Sequence, residues 1–287
     1  MIKALDLYIK TPLGHQLGLT IFKPKISNHK SIIISSATGV LQHYYFKFST
    51  YFSELGYTVY TFDYSGIGKS NLSTAHLKQN KIDLKAWGEN DQASVIAYVK
   101  SENPKHKTIL ITHSIGGQLL AFNKSNAQID AIITVASQSG YWKHWKGFDR
   151  FKMYIFWHVL IPTLTPIFGY FPAKKIGLFE NLPKEMAHQW QRWGKQKDYM
   201  LSEFDFENLQ FKNYKNSLLA LSFPNDEFAS KSSVDWLASQ FVTARVDRRH
   251  IIPEELGLPH IGHFGFFRSQ FKDSLWQMMH EWIESNS

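Results

Sequence analysis

The sequence predicts an α/β protein whose mostly parallel central sheet carries helices on both faces and a helical insertion. Short apolar, β-branched runs such as 30–36 and 108–112 alternate with helical segments at short spacing, as in sheets covered on both sides. A serine follows the second of these runs, where a strand must turn into a helix. The alternation stops at residue 139 and resumes at 215, which indicates an insertion because ordinary strand-to-helix connections are short.

Composition narrows the class of protein. With 287 residues, 44% of them hydrophobic and 20% charged, the chain can bury one large core and is not typical of disorder. It contains no cysteine, which excludes disulfide scaffolds, cysteine nucleophiles and thiolate metal sites. The net charge of +8 is scattered, and no nucleic-acid-binding motif accompanies it, so we expect no nucleic acid partner. Charged residues interrupt the apolar stretch 1–10, which we interpret as a strand rather than a signal peptide, and we therefore expect a cytoplasmic protein.

The predicted elements follow from periodicity and from turn residues. Alternating residues on either side of Thr11-Pro-Leu-Gly14 predict an antiparallel hairpin of strands 5–10 and 16–22. Continuous apolar runs predict buried strands, and spacings of three and four residues predict helices. The further strands are predicted at 30–36, 57–62, 108–112, 131–136, 217–223 and 241–249, the helices at 44–52, 83–101, 118–122, 231–240 and 270–285, and a loop at 259–265.

Ser114 lies in the turn that follows strand 108–112, with glycines at 116 and 117. A serine at a sharp strand-to-helix turn with glycine two residues later is typical of a nucleophile elbow. The turn lifts the hydroxyl clear of the sheet, and the Ile115 amide at the helix N-terminus can donate to a developing oxyanion. Thr112 occupies the place of the first glycine of the motif. The alternative is that Ser114 merely caps a buried helix.

Residues 139–214 lack strand signals and are rich in aromatic residues and proline, so we interpret them as a helical cap inserted into a core of 1–138 and 215–287. The stretch 151–172 is apolar enough to suggest a membrane span, but Lys152, His158 and internal prolines favour a buried or substrate-facing cap helix. The cap offers aromatic walls for a substrate, and we expect about half of them simply to pack the cap onto the sheet. The candidates are Trp142, Trp145, Trp157, Phe168, Tyr170 and Phe171.

Acyl transfer by serine needs a base for its proton and a carboxylate that orients the base. Asp226 directly follows strand 217–223, and His263 lies in the last loop before the closing helix, which places both at the carboxyl edge of the sheet. We therefore predict Ser114 as nucleophile, His263 as general base and Asp226 as the orienting carboxylate. The predicted second oxyanion donor, beside Ile115, is the backbone amide of Val40.

Other interpretations of these residues stay open. Asp226 could be a turn residue, with the adjacent Glu227 as the working carboxylate, and His260 is the rival base. The His-x-x-His pair formed by His260 and His263 also suggests a metal, but no third ligand with metal-like spacing follows, so we predict no metal. His113 is interpreted as a packing residue.

The segment Gly66-Ile-Gly-Lys-Ser70 resembles the end of a phosphate-binding loop. The full motif requires a glycine five residues before Gly68, and Asp63 stands there instead. Nucleotide binding is therefore not favoured.

Two segments, Asp63-Tyr-Ser-Gly-Ile-Gly-Lys-Ser70 and His113-Ser-Ile-Gly-Gly117, resemble the α/β-hydrolase superfamily, and within it the serine-aminopeptidase and monoglyceride-lipase-like branch. Nearly the whole chain, cap included, is similar to a bacterial group of predicted α/β hydrolases. The resemblance implies an α/β-hydrolase fold, a Ser-His-Asp triad at Ser114, His263 and Asp226, and no cofactor. Two departures are Thr112 in place of glycine and Thr38-Gly39 where many relatives carry His-Gly.

The function predicted from these features is a serine hydrolase that cleaves a small-molecule carboxylic ester, lipid-like or with a hydrophobic acyl group, through an acyl-enzyme. An amidase or aminopeptidase is the alternative in chemistry, and a non-catalytic binding protein is the alternative in class. The cap and the basic surface would also permit a weak membrane association. The oligomeric state does not follow from the sequence.

Overall fold

The computed structural model describes residues 3–71 and 73–287. It contains an eight-stranded sheet in the order β1-β2-β4-β3-β5-β6-β7-β8. The first three strands in this order pair antiparallel and every later pair is parallel. The strands are β1 (Lys3–Lys10), β2 (Gln16–Lys23), β3 (Lys30–Ser35), β4 (Thr58–Phe62), β5 (Lys107–His113), β6 (Ala131–Val135), β7 (Ser217–Ser222) and β8 (Arg245–His250). The predicted hairpin and the mostly parallel sheet are confirmed.

Helices cover both faces of the sheet, and two of them run on through π-helical turns, at Trp87–Gln92 and Phe156–Leu160. A third π turn, Lys272–Trp276, precedes the last helix. The helices are α1 (Phe46–Glu54), α2 (Thr74–Gln79), α3 (Leu84–Ala86), α4 (Ala93–Glu102), α5 (Ile115–Gln118), α6 (Gly147–Ile155), α7 (Ile161–Phe168), α8 (Lys184–Lys195), α9 (Lys231–Ala238), α10 (Gly262–Gly265) and α11 (Gln277–Asn286).

Three predicted boundaries are wrong. The helix after the serine begins at Ile115 rather than at 118, because the first turn forms directly on the elbow. Strand β8 begins at Arg245 rather than at 241, since residues 241–244 form a turn closed by the bond from the Ala244 amide to the Phe241 carbonyl. The predicted loop 259–265 contains the short helix α10.

The core lies on the two faces of the sheet. The strands β4, β6 and β7 are buried at every position, as expected of strands covered on both sides. Alternate residues of β3 and β5 divide between the faces, so that Ile33 and Leu110 belong to one hydrophobic cluster and Ile32 and Ile109 to the other. This packing fixes the carboxyl ends of β5, β6 and β7 side by side.

The segment between β6 and β7 contains α6, α7 and α8, with 3-10 turns and a single isolated bridge between Phe171 and Leu182. The stretch Gly147–Phe168, which comprises α6, a π turn and α7, is one helix long and apolar enough to cross a membrane by length and composition. One face of it is buried within the protein through Trp157, Ile161 and Thr165.

Candidate active site

Ser114 stands at the end of β5 in a backbone conformation that side chains rarely adopt. Its φ is 52° and its ψ is −115°, and its amide donates to the Val135 carbonyl of β6 at 3.0 Å. Its side chain makes no capping bond to helix α5, so the helix-cap interpretation does not account for it. The next turn requires glycine, because a Cβ on Gly116 would lie 2.6 Å from the Ser35 carbonyl and one on Gly117 would lie 2.4 Å from Ser137 Oγ.

Thr112 fits the elbow although it replaces a glycine. It is the sixth residue of β5 and fully buried, and its Oγ1 lies 3.3 Å from Ser137 Oγ. The structure therefore accommodates its side chain beside Ser137, two residues after the end of β6.

Asp226 and His263 come together at the carboxyl edge of the sheet. The Nδ1 of His263 lies 3.0 Å from each carboxylate oxygen of Asp226. The Oδ1 of Asp226 also accepts the amides of Phe228 and Ala229 at 2.8 Å, so the carboxylate closes its own turn as well as orienting the imidazole. Buried donors that fix a carboxylate in this way hold its histidine partner in one orientation.

The rival residues lie differently. Glu227 lines the adjoining cavity, and its carbonyl, rather than its carboxylate, accepts the indole N–H of Trp145 at 2.9 Å. His260 is exposed and does not line the cavity.

Ser114 and His263 line the same cavity, but among the described residues no hydrogen bond joins their side chains. Ser114 Oγ instead lies 3.4 Å from both the Oε1 and the Nε2 of Gln138. The Gln138 amide in turn donates to the Phe228 carbonyl at 2.9 Å, which ties it to the Asp226 turn. Sequence reasoning missed Gln138; its position three residues after β6, at the carboxyl edge of the sheet, was the available signal.

A chain of hydrogen bonds runs beneath the site through His113. The Nε2 of His113 donates to the His263 carbonyl at 2.9 Å, since a carbonyl can only accept. Burial lowers the pKa of His113 well below its usual range, and the charge that His263 carries when protonated lowers this pKa further. The neutral ring therefore accepts at Nδ1 from the Tyr45 hydroxyl at 2.9 Å, and Tyr45 accepts the Ala37 amide at 3.0 Å.

The structure contradicts the prediction that Val40 supplies the second oxyanion donor. Its amide already donates to the Ala37 carbonyl at 3.1 Å and closes the turn after β3. Thr38, in the same turn, lines the cavity together with Ser114. Within residues 3–71 and 73–287, neither the Thr38 amide nor its buried Oγ1 has a hydrogen-bond partner. Ile115 is the first residue of α5, so its amide has no intrahelical acceptor.

A cavity of about 380 Å³ opens above Ser114 and is mostly apolar. Trp145 and Trp157 line it as predicted, but Trp142 and Phe168 do not: Trp142 packs on Tyr154, and Phe168 packs on Tyr170. The predicted walls Tyr170 and Phe171 are buried elsewhere in the insertion. The large apolar residues that line the cavity, several of them missed by sequence reasoning, are Trp145, Phe148, Phe151, Met153, Ile155, Phe156, Trp157, Leu160, Leu178, Phe179, Trp190, Phe228 and Phe264.

The loop 66–70 is filled by a carboxylate rather than shaped to receive a phosphate. The Oδ2 of Asp63 accepts the Lys69 amide at 2.9 Å, and its Oδ1 accepts the Gln42 amide at 2.8 Å. The Lys69 ammonium pairs with Asp6 at 2.7 Å. The segment therefore braces the sheet edge near β2 and β4.

Residues 27–188 match the family described as Hydrolase_4: serine aminopeptidase, S33. Among curated proteins, none matches the chain significantly. Solved structures share the fold at low identity, and a similarity at this level shows the fold alone.

A carboxyl esterase from Bacillus coagulans is 12% identical, with a TM-score of 0.67 over 100% of this chain and 99% of that one. An esterase from Pyrococcus furiosus is 13% identical, with a TM-score of 0.64 over 99% and 92% of the two chains. A serine hydrolase without a lid from Xanthomonas campestris is 15% identical, with a TM-score of 0.56 over 98% and 95%.

Proposed function

The chain belongs to the serine aminopeptidase (S33) family of α/β serine hydrolases, and on this premise we propose that it cleaves carboxylic esters with a hydrophobic acyl group through an acyl-enzyme. The observation that carries the proposal is that Ser114, on a strained elbow, and His263, which is bonded to Asp226, line one apolar cavity.

In the proposed reaction, His263 Nε2 takes the proton of Ser114 as its Oγ attacks the ester carbonyl. Asp226 keeps Nδ1 protonated and stabilises the imidazolium that forms. Collapse of the tetrahedral intermediate breaks the bond to the leaving alkoxide, which receives the proton from His263. Water then attacks the acyl-enzyme with His263 as base, and releases the acid and the serine. Before attack, Ser114 Oγ must leave Gln138 and turn toward His263.

The oxyanion of both intermediates would be held by the amides of Ile115 and Thr38. These two groups lack protein acceptors among the described residues; Ile115 directly follows Ser114, and Thr38 lines the same cavity as Ser114. The buried hydroxyl of Thr38 is a third donor available at the same place. Fixed donors that stabilise a developing negative charge make the largest single contribution to the rate enhancement of many hydrolases.

The acyl group would occupy the apolar cavity, whose volume lies within the range of small-molecule sites. We propose that residues 139–214 act as a cap, because Trp145, Trp157 and Phe156 of this insertion form much of the cavity wall. Three charged residues, Asp149, Lys152 and Glu227, line the cavity, and Asp149 is paired with Lys152 at 2.7 Å. The mostly apolar lining therefore favours an uncharged ester over a peptide with a free amino group.

Labelling by a fluorophosphonate probe tests the nucleophile. We expect wild type and Ser139→Ala to label and Ser114→Ala not to label, because Ser139 is buried in the neighbouring loop and does not line the cavity. Esters of graded acyl length and matched amides, tested next, give the substrate class. A folded wild type that neither labels nor cleaves small activated esters would indicate a binding protein instead.

A further inference from the structure

The helix Gly147–Phe168 leaves an apolar face uncovered beside the cavity. Phe148 and Phe151 are 73% and 58% exposed and also line the cavity, so they form its rim. Val159 and Ile167 continue this exposure along the helix without touching the cavity. The π turn at Phe156–Leu160 accommodates one extra residue, which returns Ile167 to the face that carries Phe148.

Two further apolar residues are exposed in and just after the 3-10 turn Ala173–Ile176. Ile176 and Leu178 are both exposed, and Leu178 lines the cavity. We call the six residues Phe148, Phe151, Val159, Ile167, Ile176 and Leu178 the rim patch.

Two lysine ammonium groups lie close to aromatic rings of the same helix. Lys152 Nζ lies 5.6 Å from the ring of Phe148 and also pairs with Asp149 at 2.7 Å, whereas Lys175 Nζ lies 4.7 Å from the ring of Phe168 at the end of the helix. Residues 143–180 contain six lysine or arginine residues and only two acidic residues, each paired with a lysine, which leaves an excess of four positive charges. Exposed apolar side chains bordered by cations are typical of helices that lie in the boundary between lipid headgroups and acyl chains.

We infer that the rim patch docks the protein on an anionic lipid surface, from which an ester-linked acyl chain enters the cavity. The entry of substrate rests on the proposed function, whereas the docking itself does not. The helix lies on the surface rather than crossing it, because Trp157 and Ile161 on its other face are buried within the protein. A second copy of the chain is the less favourable occupant, since it would bring two basic surfaces together.

Co-sedimentation with vesicles tests the docking, using the full chain with Ser114→Ala so that lipid is not consumed. We expect binding to vesicles of phosphatidylcholine mixed with phosphatidylglycerol, little binding to phosphatidylcholine alone, and release at high salt. Val159→Asn with Ile167→Asn should lower the partition coefficient by roughly tenfold or more, because two aliphatic side chains no longer enter the lipid.

Ile26→Asn is the matched control. Ile26 is 84% exposed and lies in the loop before β3, at the amino-terminal ends of the parallel strands, whereas the site lies at their carboxyl ends. Its replacement should therefore leave vesicle binding unchanged. With Ser114 intact, the Val159/Ile167 double variant should hydrolyse a soluble short-chain ester like wild type and lose activity only on ester embedded in anionic vesicles.

Three results would overturn the inference: no binding to either vesicle, binding that the double variant does not weaken, or a dimer in solution that the double variant disrupts while vesicles are ignored. The failures separate cleanly. Vesicle binding without any hydrolysis removes the proposed function and leaves the docking, whereas hydrolysis of soluble ester without vesicle binding removes only the docking.

Discussion

The Nε2 of His113 donates a hydrogen bond to the backbone carbonyl of His263 at 2.9 Å. The same imidazole accepts from Tyr45, which accepts the amide of Ala37 beside Thr38. One buried ring thus links the residue before the nucleophile, the loop of the proposed base and the turn of the proposed oxyanion donor. The packing role expected of His113 is only part of what it does.

His113→Phe should lower kcat for a soluble ester by roughly 10- to 100-fold, because the His263 loop loses its anchor and a small misplacement of a catalytic group is costly. His113→Gln retains a donor near the Nε2 position and should lose less. Steady-state kinetics check this, with KM expected to change little. Equal losses in both variants would argue against an anchoring role for the Nε2 bond.

The buried His113 should also make stability depend on pH. Burial lowers its pKa below that of an unfolded histidine, so below about pH 6.5 the unfolded chain binds a proton that the folded protein refuses. The free energy of unfolding should therefore fall as the pH drops, by up to about 1.4 kcal/mol per pH unit for this group. Urea unfolding of wild type and His113→Gln at several pH values measures how the free energy of unfolding depends on pH. This dependence should be weaker in the variant, which lacks the buried imidazole.

Thr38→Val keeps the shape of the side chain and removes only the hydroxyl. If that hydroxyl joins the backbone amides at the oxyanion, kcat should fall by at least about tenfold, and by up to 10²–10³-fold for a fully used donor. Thr38→Ser should retain most of the activity. Unchanged kcat in Thr38→Val would leave only the two amides as donors.

His263→Gln should reduce kcat by roughly 10⁴-fold or more, as expected when the general base of a triad is removed. His260→Gln should behave as wild type, because His260 is exposed and lies outside the cavity. A comparison of kcat for both variants on one activated ester decides between the two histidines. Loss of activity in the His260 variant alone would reverse the assignment.

Gly194→Ala should narrow the cavity by pushing the ring of Trp157 into it. A Cβ at Gly194 would lie 2.3 Å from Cε2 of Trp157, a cavity-lining indole, and must displace it. We expect kcat/KM to fall more for long acyl chains than for acetate esters, with overpacking costing about 1–3 kcal/mol of stability. A chain-length series together with urea unfolding checks both effects; a uniform drop across the series would place the displaced ring outside the acyl path.

The sequence alone determined the fold class, the strand pattern and the position of the elbow. These follow from local periodicity, from the β-branched run 108–112 and from the glycines at 116 and 117 that follow Ser114. It also brought Asp226 and His263 under consideration, because residues just after parallel strands collect at one edge of a sheet. Their catalytic roles remain predictions.

Only the tertiary structure decided which groups face the serine. It showed that the Val40 amide donates to its own turn, and it left the Thr38 amide without an acceptor among the described residues. It placed Gln138 against Ser114, and it put Phe148 and Phe151 at the cavity rather than Trp142 and Phe168. Such contacts join residues far apart in the chain. The local sequence around an aromatic residue on a helix does not indicate which residue it will contact in the folded protein.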